Sequence, residues 1–208
     1  MRLIGAMNYC KICFKEVKDI TWFNLLNEKT CICNKCFSKM KPSIRVRRAE
    51  GFLHISFYEY NNYIKTLLYQ YKGCKDIELR NVFLGKQSHV LNKIFSKYII
   101  VPGPTYRKKK EHNDFNHVIE MYRCLNLPIY DCISKKKDIK QKNLSYEERH
   151  SISDNIFLEK SSCLKGKKIL FVDDLFTTGS TAIACANLIK SAGAKKVIII
   201  TMGRVVFI

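Results

Sequence analysis

Ile169-Leu170-Phe171-Val172-Asp173-Asp174-Leu175-Phe176-Thr177-Thr178-Gly179-Ser180-Thr181 is the stretch whose reading decides the fold. Four consecutive apolar residues suit a strand buried on both faces, as in a parallel sheet. Two carboxylates follow at the strand's end, then a short hydroxyl-rich turn with one glycine. Thr181–Ala192 reads as a helix closed by Gly193, and Val197–Thr201 as a second apolar strand. Strand, helix and strand over this length predict a right-handed crossover in a parallel sheet.

The carboxyl ends of such strands are where open α/β sheets bind ligands. Backbone N–H groups of the turn and of the helix N-terminus favour a phosphate dianion. Thr177, Thr178, Ser180 and Thr181 can donate hydroxyl hydrogen bonds, and Gly179 permits close backbone approach. Asp173 and Asp174 would repel a bare phosphate, but as acceptors they suit the 2- and 3-hydroxyls of a ribose 5-phosphate. Two other readings stay open: a strand–turn–helix whose Asp and Thr only cap, and an acid pair that holds Mg2+.

Outward from this stretch the pattern stays α/β. Tyr98–Val101 is a short buried strand ended by Pro102, and Ser56–Tyr58 looks like another. Tyr60, Ile64, Leu67, Leu68 and Tyr71 recur at helical spacing before Gly73, and a second helix is expected over Val82–Phe95. Phe115, Val118, Ile119, Tyr122 and Leu125 form one helical face ending before Pro128. Lys135–Arg149 is polar and without period, a long loop. The expected layout is a parallel sheet flanked by helices over residues 45–208, behind a small module over 1–44.

That module is written in cysteine. Cys10-x2-Cys13 and Cys33-x2-Cys36 are two knuckles separated by residues 14–32, a zinc-ligand spacing. The two-residue gap lets both thiolates of a knuckle face one ion, and four of them close a tetrahedral shell, which makes a structural metal. Cys31 is a rival for Cys33. Unmetallated thiols lining a small core are the alternative, but a segment so poor in apolar side chains needs a staple to fold.

The 208 residues suffice for one core and a small appendage, and an apolar content of 47% excludes a disordered chain. No apolar run approaches the roughly 20 residues that span a bilayer. Met1–Met7 is too short for a signal peptide, so a cytoplasmic location without membrane insertion is expected. The formal charge is +19, with basic clusters at Arg45–Arg48, Arg107–Lys110, Lys135–Lys137, Lys165–Lys168 and Lys195-Lys196. Such clusters favour single-stranded nucleic acid without sequence reading, through counter-ion release.

The thirteen-residue stretch resembles the signature of type I phosphoribosyltransferases, which bind phosphoribosyl pyrophosphate (PRPP). Joined to a four-cysteine zinc finger, it resembles the ComF (ComFC) family of competence proteins of naturally transformable bacteria. Tyr69–Gly73, Val101–Pro104, Phe115–His117, Gln141, Leu144, Ser145, Arg149 and Ala192–Ala194 add to the resemblance. It implies PRPP with Mg2+ as the ligand of Asp173, Asp174 and Thr177–Thr181. It further implies Val101–Tyr106 as a loop facing pyrophosphate and Lys135–Arg149 as a flap. The implied function is DNA uptake, binding single-stranded DNA beside a helicase-like ATPase. Asn113-Asp114-Phe115-Asn116-His117 departs from the family's Arg-Gly-Phe-Asn-Gln, and Ile152 stands where an Asn is expected. The alternative is a working phosphoribosyltransferase acting on a nitrogenous base, with Arg107 and Lys135–Lys137 neutralising pyrophosphate.

Overall fold

The computed structural model describes residues 9–17, 32–106, 115–135, 155–159 and 162–205. Along them run α1 (Asn34–Lys39), β1 (Pro42–Ala49), β2 (Phe52–Glu59), α2 (Asn62–Leu68), α3 (Arg80–Leu84) and α4 (Ser88–Ile94). Then come β3 (Tyr98–Pro102), β4 (Thr105–Tyr106), α5 (His117–Tyr122), β5 (Ile133–Lys135) and β6 (Ile156–Leu158). β7 (Lys168–Phe176), α6 (Ser180–Ser191) and β8 (Lys196–Arg204) complete the order.

The main sheet has the order β1-β2-β8-β7-β3, and β4, β5 and β6 form a small second sheet. β2, β8, β7 and β3 are parallel, while β1 pairs antiparallel with β2 at the edge. Alternation along β7 explains its unbroken apolar run. Ile169 and Phe171 pack with Ala182, Cys185, Ala186 and Ile189 of α6, whereas Leu170 and Val172 pack with Leu67, Phe83, Met121 and Tyr122 from the opposite layer. Each face of the strand is thus a core face. Cys10, Ile32, Cys36 and Met40 belong to that second cluster, so the cysteine knuckles share a core with the sheet.

Three elements differ from their sequence-based expectation. β7, expected over Lys168–Asp173, runs on through Asp174 to Phe176, because Leu175 and Phe176 keep pairing with Gly203 and Arg204 of β8. The helix expected over Val82–Phe95 is broken into α3 and α4. Gly85 starts a turn there, and the Ser88 hydroxyl donates back to its carbonyl at 2.8 Å, a local bond that competes with the helical ladder. Finally, α2 widens into a π-turn over Tyr69–Gly73, in which Tyr71 is buried. The basic stretch Arg45–Arg48 lies in β1, exposed at the sheet edge. Residues 136–154, and with them most of the expected flap, lie outside the described residues.

Candidate functional site

The carboxyl end of β7 opens into a cleft of about 460 Å3. It is lined by Asp173, Asp174 and every residue of Thr177–Thr181, with Lys72, Gly103, His117 and Lys135 facing them. The residues singled out around the phosphate turn are therefore brought together in one place.

The acid pair is strongly asymmetric. Asp174 Oδ2 accepts from Lys72 Nζ at 2.6 Å and lies 3.5 Å from His117 Nε2. Burial alone would raise the pKa of this carboxyl, but the His117 hydrogen bond and the Lys72 charge outweigh it and hold Asp174 well below the usual carboxylate range. Among the described residues Asp173 has no such ion-pair partner. Burial, followed by the Asp174 charge, pushes it up to about 7. Burial would depress Lys72, but the adjacent Asp174 charge raises it overall. A fixed anion thus stands beside a carboxyl that titrates near neutrality.

The backbone fixes these side chains. Asp173 Oδ1 accepts from the Asp174 N–H at 2.9 Å, and Asp174 Oδ1 from the Leu175 N–H at 2.7 Å. The buried Tyr122 hydroxyl donates to the Asp173 carbonyl at 3.0 Å and contacts the Ile200 carbonyl at 3.3 Å, tying β7 to β8. The Tyr71 hydroxyl donates to the His117 carbonyl at 2.7 Å, which locks the π-turn carrying Lys72 onto α5. Asn116 caps that helix by accepting from the Val118 and Ile119 N–H groups. Gly103 is required where it stands: a Cβ there would lie 2.9 Å from Asp173 Cγ.

The turn itself rests on an aromatic floor. Gly179 has φ +84°, and a Cβ on it would lie 2.2 Å from the Phe176 ring, so no larger residue fits. Phe176 stacks on buried His54 with centroids 4.1 Å apart, and His54 Nε2 lies 2.8 Å from Thr201 Oγ1. Since that hydroxyl donates to the Gly203 carbonyl, the imidazole is the donor. Burial, with Arg204 and Arg47 nearby, pushes His54 down to about 4, so it stays neutral. Above this floor the Thr178 and Ser180 hydroxyls lie 2.9 Å apart at the N-terminus of α6. A helix N-terminus flanked by hydroxyls is a site for an anion.

Cys10, Cys13, Cys33 and Cys36 also converge, their sulfurs all within 4.8 Å of one another. The Cys13–Cys33 separation of 3.8 Å matches the edge of a tetrahedron with Zn–S bonds of about 2.3 Å. The first knuckle is a tight turn closed by Cys10 N–H to the Lys15 carbonyl at 2.9 Å. In the second, Cys33 caps α1 and its sulfur accepts from the Cys36 N–H at 3.4 Å. These four cysteines could hold a metal ion. Cys31 lies outside the described residues.

Lys72 and His117 are the site residues that pattern reading did not assign. Each stood only inside a segment of family resemblance, and nothing local to either reveals Asp174 as its partner.

The chain is similar to several known proteins. The family model for the phosphoribosyl transferase domain matches residues 121–204. Competence protein ComFC of Bacillus subtilis (strain 168) is 26% identical over 215 residues, covering 88% of this chain and 89% of that protein. Competence protein ComFC of Streptococcus pneumoniae (strain ATCC BAA-255 / R6) is 26% identical over 213 residues, covering 90% and 96%. A crystal structure of adenine phosphoribosyltransferase aligns over 82% of this chain and 89% of its own, at 14% identity and a TM-score of 0.41.

Proposed function

We propose that this chain, ComFC-like over nearly all its length and carrying a phosphoribosyl transferase domain, acts in DNA uptake during natural transformation. In this reading it binds single-stranded DNA in the cytoplasm, beside a helicase-like ATPase, and holds the ribose 5-phosphate of PRPP in the cleft of β7. The observation that carries the ligand is the convergence of the acid pair and the hydroxyl turn with Lys72 and Lys135 on one cleft. The 5-phosphate sits on Thr177–Thr181, where helix N–H groups and hydroxyls favour a dianion. Asp173 and Asp174 accept from the ribose hydroxyls. Lys135, Gly103 and Pro104 line the side that the pyrophosphate would occupy, where Mg2+ would supply charge neutralisation. Cys10, Cys13, Cys33 and Cys36 would hold a zinc ion, whose role with four thiolate ligands would be structural.

Among the described residues no helix is long and apolar enough to cross a membrane. The charge of +19 supports the nucleic-acid part of the reading. Titrating the purified protein with a labelled single-stranded oligonucleotide at rising salt tests it. Binding that is tight at low salt and falls steeply is expected; no binding at low salt would refute it.

One observation favours the second reading, a phosphoribosyltransferase acting on a nitrogenous base. Asp173, titrating near 7 in the cleft, could take up a proton during the reaction. Pyrophosphate release from PRPP with adenine or another base, abolished in Asp173→Asn, would establish it.

A further inference from the structure

The topology gathers lysines at one pole of the main sheet. Lys97 precedes β3, Lys165, Lys167 and Lys168 lead into β7, and Lys195 and Lys196 lead into β8. These three strands are parallel neighbours, so their amino ends share one edge of the sheet, opposite the cleft. The register places Lys168 beside Lys196 and Tyr98 beside Lys168. The Lys195 N–H donates to the Lys167 carbonyl at 2.8 Å, and the Gly166 N–H to the Gly193 carbonyl at 2.8 Å, which clamps the two lysine-bearing turns together. Clusters separate in sequence thus form one patch. Five of the six lysines are exposed, and Lys168 lies half-buried with its ammonium 5.8 Å from the Tyr98 ring centroid. Among the described residues none of the six has a carboxylate within ion-pair distance. The hairpin turn between β1 and β2 brings one exposed acid, Glu50, to the same end.

We infer that this lysine pole is where single-stranded nucleic acid binds, through its phosphate backbone, and that it works independently of the ribose-phosphate cleft. The inference rests on the nucleic-acid reading above and adds the surface. Like charges held this close repel, and a polyanion relieves that repulsion while releasing its own counter-ions. Lysine ammoniums are point charges without the planar fork that reads base edges, so the contact follows the backbone and not the sequence. β8, β7 and β3 together span only about 10 Å across. A flexible single strand can bend around so narrow an end, whereas duplex DNA, stiff over about 150 base pairs, touches it at few points.

Independence follows from distance. Lys168 and Asp174 are six residues apart on one strand, about 20 Å at roughly 3.3 Å per residue. That exceeds the Debye length of about 8 Å at physiological salt, so the charges of one site hardly reach the other.

The test is fluorescence anisotropy with a labelled oligothymidine over a salt series, on the whole protein. Wild type is compared with Lys165→Gln/Lys167→Gln/Lys195→Gln/Lys196→Gln and with Arg45→Gln/Arg47→Gln at the other exposed basic edge. Each phosphate contact contributes about 0.7 to the log–log salt slope, which at 0.1 M salt is roughly 5-fold in affinity per lysine. The lysine variant is expected to lose that much per residue and show a correspondingly shallower slope. Its PRPP affinity and zinc content should stay at wild-type values, and the arginine variant should keep the wild-type slope. An unchanged slope in the lysine variant with a shallower one in the arginine variant overturns the pole. Tighter binding of the matching duplex overturns the single strand as its occupant. If wild type binds no oligonucleotide even at low salt, it is the nucleic-acid reading itself that fails.

Discussion

Lys72 and Asp174 stand 102 residues apart in the chain and meet at 2.6 Å in the cleft. The lysine reaches Asp174 from the π-turn that ends α2, so a helix of one layer neutralises the strand end of another. His117 shares the same oxygen. The pairing leaves Asp173 alone to respond to pH, and the first two predictions follow from that division.

Lys72→Met should leave two carboxylates side by side without their cation. Because the lysine side chain is 43% exposed, solvent screening limits the loss to about 1 kcal/mol. The freed Asp174 oxygen should then take a divalent cation more readily. Denaturant unfolding in chelator is expected to show the loss, and millimolar Mg2+ to recover more stability in the variant than in wild type. An equal Mg2+ response in both proteins contradicts this.

Asp173 sets the pH dependence. Its carboxyl accepts ribose hydroxyls best when ionised, so PRPP affinity should rise as pH climbs toward about 7 and level off above it. For stability the sign is opposite. A folded pKa above the unfolded value of 3.8 means the native state binds the extra proton, so this group's contribution falls as pH rises through the interval to about 7. Asp173→Asn should therefore melt several degrees higher than wild type at pH 8 and show little difference at pH 4. Asp174 works the other way: its contribution is present above about pH 4 and is lost in acid.

Two glycines separate backbone strain from loop support. Gly166 has φ +72° and open space, with nothing within 4 Å, where a methyl would project, whereas Gly179 has φ +84° above the Phe176 ring. Gly166→Ala should cost about 1–2 kcal/mol and leave PRPP binding intact. Gly179→Ala should cost more and abolish it, because the turn must lift off the ring. Equal costs with equal binding would show that Phe176 does not set the turn.

Purified protein should contain about one zinc per chain, lost in Cys10→Ser, Cys13→Ser, Cys33→Ser or Cys36→Ser and retained in Cys31→Ser. Metal analysis decides this. Zinc retained in Cys33→Ser and lost in Cys31→Ser would move the ligand to Cys31.

What the sequence made legible was local. Four apolar residues, two acids and a Thr-Thr-Gly-Ser turn are contiguous, so β7, its loop and α6 could be read from one stretch. The cysteine knuckles depend on two-residue gaps, equally local. Lys72 and His117 escaped because each is defined by a partner on β7 that only tertiary packing supplies. The break at Gly85 and the run of β7 beyond Asp173 escaped for a related reason. Apolar periodicity does not register a Ser88 hydroxyl bonding backward, and aspartate is a poor strand residue unless a neighbouring ladder, here β8, holds its backbone.

The central claim, that the end of β7 holds a ribose 5-phosphate, is met most directly by calorimetric titration of PRPP with Mg2+ at pH 8 into wild type and Thr178→Leu. Thr178 is exposed and its hydroxyl lies 2.9 Å from that of Ser180, so the larger apolar side chain fills the anion pocket without entering the core. Saturable binding near one equivalent in wild type, absent in Thr178→Leu at unchanged zinc content, is the expected result. No heat of binding in wild type at millimolar PRPP, or undiminished binding in the variant, would contradict it.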